Sequence, residues 1–224
     1  MSLPRPRVLL LDLDGTLADS LGVMKTVYRQ FMESRNLTPT DAEFEQLNGP
    51  PIAECIRILK DTHQIIATHT DLMARYQALI DRVYGAVLPY PDARALLEGA
   101  IARGCKIGIV TSNTMARTQD WLARTTLESL VDAVVASDKI ERGKRVTRGK
   151  PAPDPYIAAL AHFKCEPKAA RAVEDSPLGA TSARAARIPT FALGRDMEKK
   201  EGWPEGVTFV ASLADVLKRL ESED

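Results

Sequence analysis

From residue 106 onward, short apolar runs alternate with segments of helical periodicity, and this alternation constrains the fold more than any other feature. The apolar runs have the length of buried strands, and the segments between them are long enough to connect parallel strands. Strands joined in this way form right-handed crossovers and a mostly parallel sheet covered on both faces. The sequence therefore predicts an α/β fold. The predicted strands are 106–111, 131–136, 170–173, 190–193 and 208–210, and the predicted helices are 115–125, 154–163, 177–186 and 213–220.

The N-terminal part of the chain begins with one apolar run, Val8–Leu11, and then changes to a long helical pattern. Apolar residues recur there at intervals of three and four, as at Met24, Val27 and Phe31, which is the pattern of an amphipathic helix. Breaks near 36–39 and 48–51 divide the pattern into a small helical bundle. Beyond it, Pro91 is predicted in the first turn of a helix that ends near Gly104.

Two carboxylates follow the first apolar run directly, in the segment Asp12-Leu13-Asp14-Gly15-Thr16. Residues two apart on a strand face the same side, so Asp12 and Asp14 can share one pocket. Like charges so close together repel unless a proton or a cation lies between them, and Mg²⁺ prefers oxygen ligands. A calcium loop of the EF-hand type does not fit, because neither possible start places glycine and glutamate where that loop needs them. The segment favours metal-assisted phosphoryl chemistry.

Three further segments place polar residues at the carboxyl ends of predicted strands or just before helices, where ligands of parallel sheets bind. Thr111-Ser112-Asn113 offers a hydroxyl and backbone amides at a helix start, which suits a phosphate, although a simple helix cap explains it as well. Lys150 lies between Gly149 and two prolines that are expected to hold the loop extended. Glu174-Asp175-Ser176 places two acids at the end of a buried strand. They can supply a third carboxylate for a cation site, or Asp175 or Ser176 can be a helix cap.

Composition narrows the class of protein. The 30 basic and 30 acidic residues cancel, which argues against nucleic acid or an anionic membrane as the main partner. The three cysteines are far apart and lack a C-x-x-C pair, so we expect reduced thiols. No apolar stretch has the length of a signal peptide or a membrane span, and the expected location is cytoplasmic.

The segments Asp12-x-Asp14-Gly15-Thr16, Thr111, Gly149-Lys150-Pro151 and Glu174-Asp175-Ser176 resemble, in order and spacing, the four motifs of haloacid dehalogenase-like hydrolases. The likeness is to the branch of phosphoglycolate phosphatases and beta-phosphoglucomutases. It implies a Rossmann-like parallel sheet core, residues 1–18 and 87–224, with an inserted α-helical cap domain, residues 19–86. It also implies an Mg²⁺-dependent phosphatase that hydrolyses a small phosphomonoester, of the phosphoglycolate or sugar phosphate type. Such a protein would be a monomer or a homodimer.

The resemblance also implies roles for individual residues. Asp12 would be the nucleophile that forms an aspartyl phosphate, and Asp14 would be the general acid and base. Mg²⁺ would be held by Asp12, by the backbone carbonyl of Asp14 and by Asp175, and Glu174 would orient the outer shell of the metal or the lysine. Thr111 and Lys150 would hold the transferring phosphoryl group, together with Ser112 and Asn113 on the substrate side.

Departures from the family patterns distinguish the alternatives. True haloacid dehalogenases and phosphonatases lack the second aspartate, so Asp14 favours a phosphatase. Beta-phosphoglucomutases carry a histidine and an arginine in the cap where this chain has Met24 and Ile52, which weakens a mutase as the alternative function. A catalytically silent, ligand-binding member would be expected to lack a motif residue, and none is missing. Substrate specificity is expected from the turn at 48–51, with Arg57 as either an anion contact or a solvated side chain.

Overall fold

A computed structural model of the protein describes residues 6–47, 50–137, 148–194 and 202–222. The chain divides into two compact units, of which one comprises Met1–Ala18 and Pro89–Asp224 and the other comprises Asp19–Leu88. The first contains the strands and is here named the sheet unit. The second is named the helical unit, and both are described separately.

The sheet unit is built on one parallel sheet. Within the described residues this sheet has six strands in the order β3-β2-β1-β4-β5-β6, and each neighbouring pair is parallel. This topology confirms the predicted α/β class. The strands are β1 (Val8–Leu11), β2 (Lys106–Val110), β3 (Ala133–Val135), β4 (Ala170–Glu174), β5 (Thr190–Leu193) and β6 (Thr208–Val210), and the helices of this unit are α5 (Ala93–Ala102), α6 (Met115–Arg124), α7 (Asp154–Phe163), α8 (Pro177–Ala185) and α9 (Leu213–Ser222).

The strand order of the sheet reverses at its central strand, β1. Its four residues are all buried, as expected for a strand with both faces covered. Leu11 is aligned with Ile109 of β2 on one side and with Val173 of β4 on the other. A strand with neighbours that lie later in the chain on both sides is a topological switch point, and ligands of such sheets bind beyond its carboxyl end.

The helical unit contains four α-helices within its described residues: α1 (Leu21–Glu33), α2 (Asp41–Leu47), α3 (Ile52–Thr62) and α4 (His69–Val83). Phe31 of α1 packs edge-on against Tyr76 of α4, with ring centroids 5.2 Å apart. The helical periodicity in the sequence had indicated α1, α3 and α4 but not α2. Helix α2 has seven residues and only Leu47 is buried, so it carries too few apolar positions to show a period.

Two details near the start of α5 correct the sequence analysis. The prediction that Pro91 lies in the first helical turn was wrong, because the helix begins at Ala93 with Asp92 at the N-cap. Ala93 N–H donates to Tyr90 O at 3.0 Å, which makes the preceding residues a turn. The Asp92 carboxylate accepts a hydrogen bond from Ala214 N–H at 3.1 Å, at the start of α9, and does not cap its own helix.

The expectations from composition concern the cysteines and the apolar segments. Cys55, Cys105 and Cys165 are all free thiols. Across the part of the chain that the structure describes, no helix combines the length and the apolar character that crossing a membrane requires.

Candidate active site

Three neighbouring strands bring three of the four motif segments to one edge of the sheet. Asp12 follows β1, Thr111 follows β2, and Glu174 is the last residue of β4. Because these strands are adjacent in the order β2-β1-β4, their carboxyl ends meet. Asp12 N–H continues the β1–β4 ladder by donating to Val173 O at 3.0 Å, which places its side chain beside that of Glu174.

Lys150 links the carboxylates of two of these strands. Its Nζ lies 2.5 Å from Asp12 Oδ1 and 2.6 Å from Glu174 Oε1. All three side chains are buried, with Lys150 5% and Asp12 7% exposed and Glu174 fully enclosed. A buried carboxylate without a partner costs several kcal/mol, so one ammonium group shared by two acids stabilises both.

The electrostatics of this cluster follow from two acids that share one base. Burial opposes the charge of Lys150, but the carboxylates of Asp12 and Glu174 outweigh burial and raise the lysine pKa. Burial raises the pKa of Asp12 well above its usual value, with Lys150 acting in the opposite direction and Glu174 and Asp175 adding to the rise. The cluster thus has three carboxyl groups and one ammonium group, and a further cation in place of a proton would be favourable there.

The loop that presents Lys150 differs from the prediction. An extended segment was expected from its two prolines, and this was wrong, because Ala152 N–H donates to Gly149 O at 3.0 Å and closes a turn. Proline fixes φ but leaves ψ open, so it suits a turn as well as an extended chain. Pro153 has ψ near −8° and forms the N-cap of α7.

Gly15 allows the loop after β1 to approach the loop after β4. Its φ is +83°, and a Cβ at this position would overlap the Asp175 carboxylate. Glycine is therefore required both by the backbone conformation and by the close approach. Burial, together with the neighbouring carboxylate of Glu174, raises the pKa of Asp175 to about 7, with Lys150 acting in the opposite direction and Asp14 adding to the rise.

Asp14 follows Asp12 by two residues and is half-buried. Its Oδ2 accepts a hydrogen bond from Asn113 Nδ2 at 3.0 Å. Thr111 is buried, and its Oγ1 accepts from Asn113 N–H at 3.0 Å. Ser112 is half-buried. Because Asn113 contacts Asp14, the structure brings the segment 111–113 to the sheet edge that carries Asp12 and Asp14.

The N-caps of the two helices near the site are one threonine and one serine, and neither is a candidate site residue. The cap of α6 is Thr114, whose side chain accepts from Arg117 N–H, and not Thr111. The cap of α8 is Ser176, whose Oγ accepts from Gly179 N–H at 3.1 Å. Asp175 is thus not needed as a cap, and its carboxylate is turned toward the Gly15 loop.

Tyr156 belongs to the same cluster and was not found by sequence reasoning. It is fully buried in α7, and its hydroxyl donates to Glu174 Oε1 at 2.5 Å. Lys150 Nζ lies 5.7 Å from the centre of its ring, within cation–π range. A tyrosine on an apolar helix face is typical of a core residue. The only sequence signal for a place in the site was therefore its position six residues after Lys150.

The side chains present fit a divalent cation. Asp12, Glu174 and Asp175 each offer a carboxylate oxygen, and these oxygens lie within 4.8 Å of one another. Glu174 Oε2 is buried and has no hydrogen-bond partner among the described residues. An all-oxygen donor set with unbalanced negative charge is the chemistry of a hard cation such as Mg²⁺.

In the helical unit, the position proposed for specificity is only partly described. Asn48 and Gly49 lie outside the described residues, and Pro50 and Pro51 directly precede α3. Arg57 is exposed and pairs with Glu54 at 2.5 Å and with Asp61 at 3.0 Å on its own helix. Of the two alternatives for Arg57, an anion contact or a solvated side chain, these ion pairs favour the solvated side chain.

Comparison with known proteins agrees with this arrangement of motifs. The model of the family "Haloacid dehalogenase-like hydrolase" matches residues 9–193, which include every candidate site residue. The chain belongs to this family. The match spans the sheet unit from β1 to β5 together with the helical unit.

Relatives of this family member include named phosphatases. A phosphorylated carbohydrates phosphatase of Thermotoga maritima is 27% identical over 178 residues, covering 79% of this chain and 80% of the relative. A phosphoglycolate phosphatase of Rhodospirillum rubrum is 29% identical over 198 residues, covering 84% and 79%. The structure of CbbY from Rhodobacter sphaeroides in complex with phosphate shares the fold with a TM-score of 0.77 at 19% identity, over 94% of this chain and 96% of that one.

Proposed function

We propose that this protein is a Mg²⁺-dependent phosphatase that hydrolyses a small phosphomonoester, of the phosphoglycolate or sugar phosphate type, through an aspartyl phosphate. The observation that carries the proposal is the buried Asp12 carboxylate, held 2.5 Å from Lys150 Nζ at the switch point of the sheet, with Glu174 and Asp175 beside it. The names of the relatives support the substrate class, since they include phosphatases of phosphorylated carbohydrates and of phosphoglycolate.

In the first step, an oxygen of the Asp12 carboxylate attacks phosphorus and the bond from phosphorus to the ester oxygen breaks. Asp14 gives its proton to the departing oxygen, which leaves as an alcohol. Thr111 and Lys150 hold the phosphoryl oxygens, and the positive charge of Lys150 lies where negative charge accumulates.

In the second step, the Asp14 carboxylate takes a proton from water, and the water oxygen attacks the phosphorus of the aspartyl phosphate. The bond from phosphorus to Asp12 breaks, so inorganic phosphate leaves and the Asp12 carboxylate is restored. Mg²⁺, when held by Asp12, Asp175 and the Asp14 carbonyl, would neutralise phosphoryl charge. Glu174 would orient either Lys150, whose Nζ lies 2.6 Å from its Oε1, or the outer shell of the metal. The helical unit would serve as the cap that selects the substrate.

The test is a panel of small phosphomonoesters with Mg²⁺, assayed for release of inorganic phosphate, with the Asp12→Asn variant as the control for contaminating phosphatases. Release that depends on Asp12 supports the proposal, and absence of release from the whole panel contradicts it. The mutase alternative is tested by ³¹P NMR with beta-glucose 1-phosphate and a trace of glucose 1,6-bisphosphate. Glucose 6-phosphate appearing without comparable free phosphate would establish the mutase, whereas Met24 and Ile52 lead us to expect free phosphate.

A further inference from the structure

The side chain of Asn113 is held at both ends of its amide group. Its Oδ1 accepts hydrogen bonds from Arg117 Nη1 at 2.7 Å and from Thr114 N–H at 2.9 Å. Its Nδ2 donates to Asp14 Oδ2 at 3.0 Å. The amide therefore connects a cationic helix residue with the carboxylate proposed as general acid and base.

These contacts determine which way the amide points. In the reverse orientation, the NH₂ group would face two N–H donors and the oxygen would face a carboxylate, which are unfavourable pairs on both sides. The backbone of Asn113 is fixed as well, since its N–H donates to Thr111 Oγ1 and its carbonyl accepts from Ser137 N–H at 2.9 Å. The residue is buried, with 8% exposed. A donor is thus presented to Asp14 by a group that cannot easily turn away.

We propose that Asn113 is a positioning residue for Asp14, and that Arg117 fixes the orientation of its amide. The sequence analysis assigned Asn113 to the substrate, but both polar ends of its side chain are engaged with protein groups. This inference rests on the proposed function, because it concerns the proton transfer by Asp14.

A donor fixed on one carboxylate oxygen restricts rotation of the whole carboxylate. The hydrogen bond from Asn113 Nδ2 to Oδ2 therefore holds the Asp14 side chain in one orientation. Proton transfer to a leaving group depends on such geometry, and a misplaced acid loses much of its effect.

The test uses the demand of the leaving group for a proton. An alkyl phosphate needs protonation of its leaving oxygen, whereas p-nitrophenolate leaves readily without it. The quantity to compare is kcat/KM, because it includes the steps up to formation of the aspartyl phosphate and excludes the attack by water. For Asn113→Ala, we expect kcat/KM to fall roughly 10- to 100-fold for an alkyl phosphate from the panel, as part of the 10²–10⁴ that acid–base catalysis contributes. For p-nitrophenyl phosphate the fall should be less than about threefold, because little acid catalysis is lost.

Two further variants keep the test independent of folding. Arg117→Gln leaves Asn113 in place but weakens its anchor, and should show a smaller loss with the same preference for the alkyl substrate. Ser137→Ala removes the hydroxyl that donates to Asn113 O at 3.0 Å and leaves the amide side chain intact, so both substrates should be unaffected.

A double variant tests whether Asn113 acts through Asp14. Added to Asp14→Asn, the Asn113→Ala change should cause no further loss that is specific to alkyl phosphates, since residues acting as one unit are not additive. Equal losses on both substrates in Asn113→Ala, or additive losses in the double variant, would overturn the inference while leaving the proposed function intact. Wild-type protein that releases phosphate from neither substrate would overturn the proposed function and this inference with it.

Discussion

Asp12 and Asp14 lie two residues apart on one loop, yet their surroundings differ in kind. Asp12 is 7% exposed and contacts the ammonium group of Lys150, with two more carboxylates nearby. Asp14 is half-buried and contacts the neutral amide of Asn113. The proposed nucleophile thus lies in a buried cluster of charged groups, and the proposed acid–base group accepts a hydrogen bond from an amide that is itself anchored.

The difference corresponds to what each proposed role requires. A nucleophilic carboxylate must stay ionised although it is buried, and this needs a nearby cation. A group that gives up and takes back a proton must keep one orientation toward the reacting oxygen, and a fixed amide donor supplies that orientation. The comparison predicts that changes on the Asp12 side act mainly through charge and that changes on the Asp14 side act mainly through geometry.

The largest effect is expected for Asp12→Asn. The amide has nearly the same size but cannot serve as the nucleophile, so turnover should fall by at least about 10⁴-fold. Phosphate release is the measurement, and the circular dichroism spectrum should stay unchanged. Activity above about a hundredth of wild type would show that Asp12 is not the nucleophile, since acid–base help alone is worth roughly 10²–10⁴.

Next in size is Lys150→Met, which removes the cation from the buried acids while keeping a long, unbranched side chain. We expect kcat/KM to fall about 10²–10³-fold, the range for loss of one preorganised electrostatic contact. Lys106→Met is the matched control, because Lys106 pairs with Asp132 on the surface, where such pairs contribute little. Similar losses in both variants would contradict the special role of Lys150.

Asp175→Ala should act on the metal. Loss of one carboxylate ligand is expected to weaken Mg²⁺ binding by at least about tenfold, measured by titration calorimetry. Asp14→Asn keeps the backbone carbonyl and should leave the affinity almost unchanged while slowing the chemistry. Unchanged Mg²⁺ affinity in Asp175→Ala would mean that the metal lies elsewhere.

The smallest effect is on stability as a function of pH. The folded-state pKa of Asp175 is raised to about 7, so between its unfolded value and about 7 the folded state binds more protons than the unfolded state, and the metal-free protein loses stability as the pH rises. We expect a decrease in Tm of a few degrees between about pH 5 and pH 8, at about 2–4 °C per kcal/mol. Mg²⁺ competes with these protons and should stabilise the protein more at the higher pH.

Asp175→Asn is the control for this pH effect, because it keeps the shape of the side chain without the titrating group. The dependence of Tm on pH should be smaller in this variant. A wild-type Tm that rises with pH in the absence of metal would contradict the raised pKa.

Much of the sheet unit was predictable from the sequence because it depends on local pattern. Buried parallel strands read as continuous apolar runs, and the crossover rules then leave few topologies. The ends of these strands, as predicted from the sequence, place Asp12, Thr111 and Glu174 at one edge of the sheet. Helix α2 and the start of α5 were not predicted correctly, because short helices and turn positions show too weak a hydrophobic periodicity.

The sequence by itself determined which strands form, which polar residues follow them and which family the motifs resemble. Only the tertiary structure decided how these side chains pair. Lys150 is 138 positions from Asp12 in the chain, and the turn of its loop brings the two side chains together. The contact of Tyr156 with Glu174 and the direction of the Asn113 amide toward Asp14 are likewise tertiary features. The physical reason is that buried polar groups must satisfy one another through space, and the orientation of a hydrogen bond has no periodic trace in the sequence.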